Sequence, residues 1–377
     1  MSFKKILLLF FIWRFIDFLI IILAKQFIPY LGFFPYQQDL AKYHLPSFFS
    51  SLANFDGIHY LRISEKGYDT HEQVFFPLFP LLIRFLSPLF AKNYLLTGLF
   101  LSNLSFLFGL YFFSLTLKLY QLKKQAIFLT LLFLLSFPTS FFFGAYYTEG
   151  LFFFLSTITL FFLKKRNYLS AAFFCFLSSL TRLVGVFLFI PFLLAVLIKE
   201  RKTHFLKKVF FVFLSFFSFF GLFAYSFYLW QKNQNPFLFF TSQKVFAGRT
   251  TYLIFLPQVL LRYLKIFFTA SFNFQYLIAL IEFLLFIFVF LTLILDLKQS
   301  IKNLSFLALN IFSFTNLILP TLTGTLSSIP RYSLLSFSFF IFWGKVEKKS
   351  WLISLLILFF ILHLFFLGFF VQGYFVS

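Results

Sequence analysis

Long apolar runs, each closed by a short cluster of lysines, arginines or amides, recur from Ile6 to the C-terminus. Runs of that length have lipid hydrocarbon as their solvent, which a helix crosses with roughly 17 to 25 apolar residues while bonding every backbone N–H and C=O internally. The pattern predicts spans at Ile6–Leu23, Leu95–Leu117, Ala126–Phe143, Gly150–Leu163, Leu169–Thr181, Val184–Ile198, Val209–Trp230, Tyr276–Leu295, Leu304–Pro320, Tyr332–Gly344 and Trp351–Val371. The expected architecture is therefore an all-α integral membrane protein of about eleven transmembrane helices. Two longer polar segments interrupt it, residues 25–93 and 231–275. The second holds an apolar stretch, Tyr252–Ala270, read as an interfacial or re-entrant helix with Arg262 and Lys265 at headgroup level. With no internal repeat and no linker rich in Pro, Gly or Ser, residues 1–377 are expected to form a single membrane domain.

Orientation follows from the short basic loops. An N-terminus inside puts Lys4, Lys5, Lys118, Lys123, Lys124, Lys164, Lys165 and Arg166 in the cytoplasm. The same choice gathers Lys199, Arg201, Lys202, Lys207, Lys208, Lys298, Lys302, Lys345, Lys348 and Lys349 there and leaves both long segments outside. Lys4, Lys5 and the following apolar run resemble a signal peptide, but no small-residue cleavage site follows, so a retained first helix is expected.

Composition narrows the classes further. With 61% hydrophobic and only 11% charged residues, a soluble fold could not cover its apolar surface. The net charge of +21 lies in the short loops, which argues against a nucleic-acid partner. A lone Cys175 in an apolar run offers neither a disulfide framework nor a thiolate metal site, so redox chemistry is not expected; no cofactor and no metal ligand is assigned, and metal dependence stays open.

Once a side is assigned to each loop, the polar islands between the spans collect outside. In the first, Asn54–Tyr68, Asn54 can cap a short helix that Gly67 ends. Helical spacing then puts Asp56, His59 and Tyr60 on one face and Phe55, Ile58 and the stem of Arg62 on another. The second island, Phe75–Pro80, carries two prolines and reads as an irregular turn rather than a clean helix. Tyr146, Tyr147, Thr148 and Glu149 follow, then Thr181–Arg182, then Asn235–Pro236–Phe237 with Gln243 and Arg249, and finally Pro330–Arg331–Tyr332. Arg182 and Arg331 read equally as headgroup anchors and as phosphate ligands. Glu149 reads equally as half of a structural ion pair and as a working carboxylate. His59 reads as a helix-face hydrogen bonder, since no second ligand beyond Asp56 stands at metal spacing. Arg14 and Asp17, one turn apart in the first span, are expected to neutralise each other. Asp56 has no Lys or Arg within five residues on either side, which favours a working carboxylate over a plain surface ion pair.

The order and wording of these islands resemble the PIG-V-like mannosyltransferases, the family of the second mannosyltransferase of GPI-anchor assembly, within the GT-C superfamily. The resemblance rests on Asn54-Phe55-Asp56-Gly57-Ile58-His59-Tyr60 running into Glu65-Lys66-Gly67-Tyr68, on Phe75-Phe76-Pro77-Leu78-Phe79-Pro80-Leu81-Leu82, and on Tyr147-Thr148-Glu149. Thr181-Arg182, Asn235-Pro236, Pro330-Arg331-Tyr332 and Gly373-Tyr374-Phe375-Val376 continue it over nearly the whole chain. Phe55 stands where the family usually has Trp, and Asn235 where Asp is common.

The resemblance implies a GT-C fold whose first extracytoplasmic loop carries interfacial helices and a catalytic acid, Asp56. It also implies transfer of a hexose, mannose in the family, from a polyprenyl-phosphate donor to a lipid or glycan acceptor by inverting single displacement. Membrane lipids would be further partners, and the site would open on the external face of the plasma membrane. His59, Tyr60, Tyr147, Glu149, Arg182, Arg249, Arg331 and Tyr332 are the expected substrate-binding residues. The competing class is a polytopic transporter or flippase for a lipid-linked sugar; a purely structural subunit would leave the one-sided polar islands unexplained.

Overall fold

A computed structural model describes residues 1–31, 37–246, 249–347 and 349–376. Lys348, counted above in a basic loop, lies outside the described residues, as do parts of both long polar segments, 32–36 and 247–248. Among the described residues every regular element is helical and there is no strand. Among the described residues, five helices are long and apolar enough to cross a membrane: Phe3–Phe27, Tyr94–Leu119, Phe274–Ser300, Leu304–Thr321 and Ser350–Val371. Phe205–Ser215 and Phe217–Asn233, bent by 42° at their junction, make a sixth if they form one broken span. The chain has the build of a multi-pass helical membrane protein.

Each apolar run of the sequence falls on helical structure, but several are broken where hydrophobicity alone is silent. The run Ala126–Phe143 is helical only as Lys124–Ser136, followed by a 3-10 turn at Ser140–Phe143. Pro138 is the cause: its ring excludes the helical conformation at Phe137, which is extended instead (φ −60°, ψ 140°). The run Val184–Ile198 divides into a 3-10 turn, Leu183–Leu188, and a helix, Phe189–Lys199, in which Pro191 occupies the first turn, where a missing N–H costs nothing. The run Tyr332–Gly344 separates into a short helix Ile329–Ser333 and a second, Phe337–Lys345. Tyr252–Ala270 does form a helix, Leu256–Thr269, whose 14 residues are too few to cross.

Two local expectations in the first long loop are corrected. Asn54 does not cap the helix Asp56–Lys66; its amide donates to the carbonyl of Phe370 in the last helix at 3.0 Å. The prolines of the second island open a regular helix, Leu78–Leu86, since Pro77 sits at its N-cap and Pro80 in its first turn. Gly67, with φ 94°, does end the Asp56 helix, and Arg84 covers that end by donating to the carbonyls of Ser64 and Ile63 at 2.8 and 2.9 Å. Asparagine caps do occur at Asn93, Asn167, Asn273 and Asn303, each accepting from a backbone N–H of the first turn.

Tyr94–Leu119 packs along Glu149–Lys164, which packs on Tyr168–Thr181 and through it on Phe217–Asn233. Phe274–Ser300 pairs with Leu304–Thr321, and the first helix packs on the last. That last contact has a charged centre. Arg14 and Asp17 do pair, at 2.8 Å, and His363 of the last helix joins them with Nε2 2.8 Å from the other Asp17 oxygen. His363 Nδ1 is 3.2 Å from the Ser140 hydroxyl and 3.3 Å from the Phe137 carbonyl, so the cluster ties both terminal helices to the turn leading into Tyr147. A Cβ at Gly144 would come within 2.6 Å of the Arg14 guanidinium, so glycine makes room for the cation there.

Candidate functional site

The polar islands, dispersed over nearly the whole chain, meet at one cavity of about 610 Å³. Asp56 reaches it from the first turn of its helix. The residue before it, Phe55, is held at φ 58°, a strained backbone for a side chain of that size. Phe55 packs between Phe370 and Phe375, with ring centroids at 5.6 and 5.4 Å, and that packing holds the strained entrance of the helix in place.

Asp56 is not solitary. Its Oδ2 accepts from Arg331 Nη1 at 2.8 Å, across a sequence separation that no local reading could bridge. The carboxyl remains 28% exposed toward the cavity, whereas Arg331 is 9% exposed. Burial pushes the Asp56 carboxyl up, but the charge and hydrogen bond of Arg331, helped by His59 and Arg249, overcome it and hold Asp56 below the ordinary carboxylate range. It is therefore ionised at neutral pH.

Glu149, 1% exposed at the start of its helix, bridges two arginines. Arg182 Nη1 donates to it at 2.5 Å and to the Thr148 hydroxyl at 3.2 Å, and Arg331 Nε stands 3.6 Å away. Of its two sequence readings, the ion pair is what the structure contains. Arg331 also lies over the rings of Phe142, Tyr147 and Tyr332, at 5.3, 5.4 and 5.5 Å. Arg249 comes from the second long loop and donates to the Tyr332 hydroxyl at 2.8 Å. Tyr332 thus has three guanidiniums around it, since Arg182 and Arg249 also approach its ring. Burial pushes its phenol up, and Arg249, then Arg331 and Arg182, bring it down to about 8.

Three guanidiniums against the carboxylates of Asp56 and Glu149 leave one positive charge in excess, and the hydrogen bonding is incomplete. Arg331 Nε, Arg249 Nε and Glu149 Oε2 are buried without a hydrogen-bond partner among the described residues. Buried donors in that condition cost about 1–3 kcal/mol each until something accepts from them. An anion in the cavity would supply that acceptor and offset the surplus charge.

All nine candidate residues line this cavity: Asp56, His59, Tyr60, Tyr147, Glu149, Arg182, Arg249, Arg331 and Tyr332. Their parts differ. Tyr147 spends its hydroxyl on the Asn54 carbonyl at 2.7 Å and serves as a floor beneath Arg331. Tyr60 is buried edge-on against Phe75 and Phe79. His59 is 3.1 Å from Glu72, a residue given no part in the sequence reading. Asn235 is not at the cavity; its side chain closes a local turn onto the N–H of Phe237 at 3.0 Å.

Three further residues had no site role in the sequence analysis, although Thr148 was named within its island. Thr148 hydrogen-bonds Arg182. Glu282, buried in the helix Phe274–Ser300, accepts the N–H of Ser328 at 2.9 Å and so fixes the left-handed residue (φ 67°) that starts the Arg331 helix. Phe246 closes over His59. No group of His, Cys, Asp and Glu able to hold a metal ion occurs among the described residues. No family model, curated protein or solved structure matches the chain.

Proposed function

We propose that the chain is a membrane glycosyltransferase that moves a hexose from a polyprenyl-phosphate donor to the hydroxyl of a lipid or glycan acceptor, with inversion at the anomeric carbon. The single observation that carries the reading is the meeting of Arg182, Arg249 and Arg331 around Tyr332, beside the partly exposed carboxylate of Asp56, on one cavity. Guanidiniums with unfilled donors suit a phosphate whose charge grows as it departs. A carboxylate beside them suits an acceptor hydroxyl, whose proton Asp56 takes as the oxygen attacks. The cavity is in the size range of small-molecule sites, and Leu253, Leu319 and Leu322 on its wall offer apolar surface to a lipid chain.

On this reading the helices adopt a GT-C arrangement with the N-terminus cytoplasmic and the cavity on the external face of the plasma membrane, and mannose is the first sugar to test. The test is transfer of label from radiolabelled polyprenyl-phosphate mannose into a total membrane lipid and glycan extract, by the full chain in proteoliposomes. Label moving into acceptor, and lost with Asp56→Asn, supports the reading. Donor crossing the bilayer with its sugar still attached would make the chain a flippase instead.

A further inference from the structure

The wall of the cavity carries a second acid–base pair that the transfer scheme above does not use: His59 lines the cavity and Glu72 lies behind it. Glu72 is almost fully buried, and no lysine or arginine pairs with it among the described residues. Its Oε1 faces His59 Nδ1 at 3.1 Å and its Oε2 accepts the N–H of Asp69 at 3.1 Å. A buried carboxylate costs several kcal/mol unless it is paired and hydrogen-bonded, and here His59 and the Asp69 N–H are the partners that hold it.

The turn carrying Glu72 is tightly held. Asp69 Oδ1 caps the N–H of Thr70 at 2.7 Å, His71 sits at φ 68°, and Gln73 Nε2 donates to the Asp69 carbonyl at 2.9 Å. Tyr225, from a distant helix, then donates to the Gln73 carbonyl at 2.8 Å. The imidazole is equally fixed. Phe75 stacks on it at 5.1 Å with planes 15° apart, and Phe246 meets it edge-on at 5.4 Å. A carboxylate at Nδ1 selects the tautomer that carries its proton there and leaves Nε2, on the opposite edge of the ring, as the base. His59 follows Asp56 by one helical turn, and both residues line the cavity.

We propose that His59, oriented by Glu72, ends a proton relay in this cavity, receiving through Asp56 the proton that the acceptor hydroxyl loses. The step rests on the transferase reading and balances as follows. The acceptor oxygen bonds to the anomeric carbon, the bond from that carbon to the phosphate oxygen breaks, and its electron pair stays on the phosphate. The hydroxyl proton passes to the Asp56 carboxylate, then through cavity water to Nε2 of His59, since the two side chains do not hydrogen-bond each other, and returns to bulk water as the lipid phosphate leaves. The relay answers a difficulty of the site: the Arg331 partner that keeps Asp56 ready to accept also makes it a poor place for a proton to stay. Glu72 acts through His59 and is a positioning residue.

The experiment is steady-state transfer from radiolabelled polyprenyl-phosphate mannose to the same membrane extract, by wild type, H59A, H59Q, E72Q and E72D. H59A is expected to lose about 100-fold in kcat, with donor KM moved by less than about threefold. Added imidazole restores at least about tenfold of the H59A loss, because a free base then occupies the space left by the ring. E72Q loses about tenfold in kcat, and E72D, which keeps the carboxylate, recovers part of it.

Should H59A not elute as a folded, monodisperse protein, H59Q and E72Q supply the same kcat-against-KM reading. Active wild type with H59A or H59Q at near-normal kcat, or a folded H59A that imidazole does not revive, overturns the relay. Wild type that transfers no label overturns the transferase reading itself.

Discussion

The Arg14–Asp17–His363 cluster between the terminal helices and the Asp56–Glu149–Arg331 cluster at the cavity are built from the same kinds of side chain, yet they are finished differently. In the first, both Asp17 oxygens are taken, one by Arg14 and one by His363, and His363 spends its other nitrogen on Ser140 and Phe137. Its members are buried and none lines the cavity. In the second, three arginines outnumber two carboxylates, and buried donors and an acceptor are left over beside open space. A saturated cluster stabilises helix packing, whereas unmet hydrogen bonds and surplus charge beside a cavity are what a ligand site offers.

The sharpest contrast comes from removing one carboxylate charge in each cluster. On the proposed reading, in which Asp56 acts on the reacting hydroxyl, Asp56→Asn is expected to lower transfer by about 1,000-fold while the chain stays folded and still binds donor. Unchanged turnover would remove Asp56 from the mechanism. Asp17→Asn strands Arg14 in the helix core and is expected to cost about 3–5 kcal/mol of stability, seen as a lower unfolding temperature in detergent. A stable Asp17→Asn protein that has merely lost transfer would erase the distinction between the two clusters.

A smaller effect tests the role of Tyr332. Three arginines bring its phenol down to about 8, so the phenolate forms as pH rises through that value and offsets part of the arginine charge that the proposed phosphate would meet. A phosphate bound there favours the neutral phenol by the same linkage. Affinity for polyprenyl phosphate is therefore expected to fall between about pH 7 and pH 9, and in Tyr332→Phe that decline should disappear. Smallest of all, opening the half-exposed Arg62–Asp39 pair with Arg62→Gln should change stability by less than about 1 kcal/mol.

Much of this layout was legible in the chain, and the reason differs by feature. Hydrophobic runs located the helical segments because burial in lipid leaves a direct trace in composition; they could not show where proline breaks a segment, as at Pro138, or how many helices reach spanning length. Asp56 and the arginines stood out because charge among apolar neighbours is costly. Their pairing was invisible: Arg331 reaches Asp56 only through tertiary structure, and the absence of nearby cations around Asp56 pointed the wrong way about its having a partner. Glu72 was hidden for a related reason, since it lies in a polar stretch where one more carboxylate is ordinary, and only its burial against His59 singles it out.

The most direct test of the central claim, that Arg249 and Arg331, beside Arg182, complete their hydrogen bonding on a lipid phosphate, is equilibrium binding of polyprenyl monophosphate to wild type and to Arg249→Gln. Arg249 carries a buried unpartnered Nε and no carboxylate partner among the described residues, so its loss leaves the Asp56 and Glu149 pairs in place. A 10- to 100-fold weaker affinity is predicted, on the scale of about 1.5–3 kcal/mol for a charged hydrogen bond. Equal affinity for the two proteins would contradict the account.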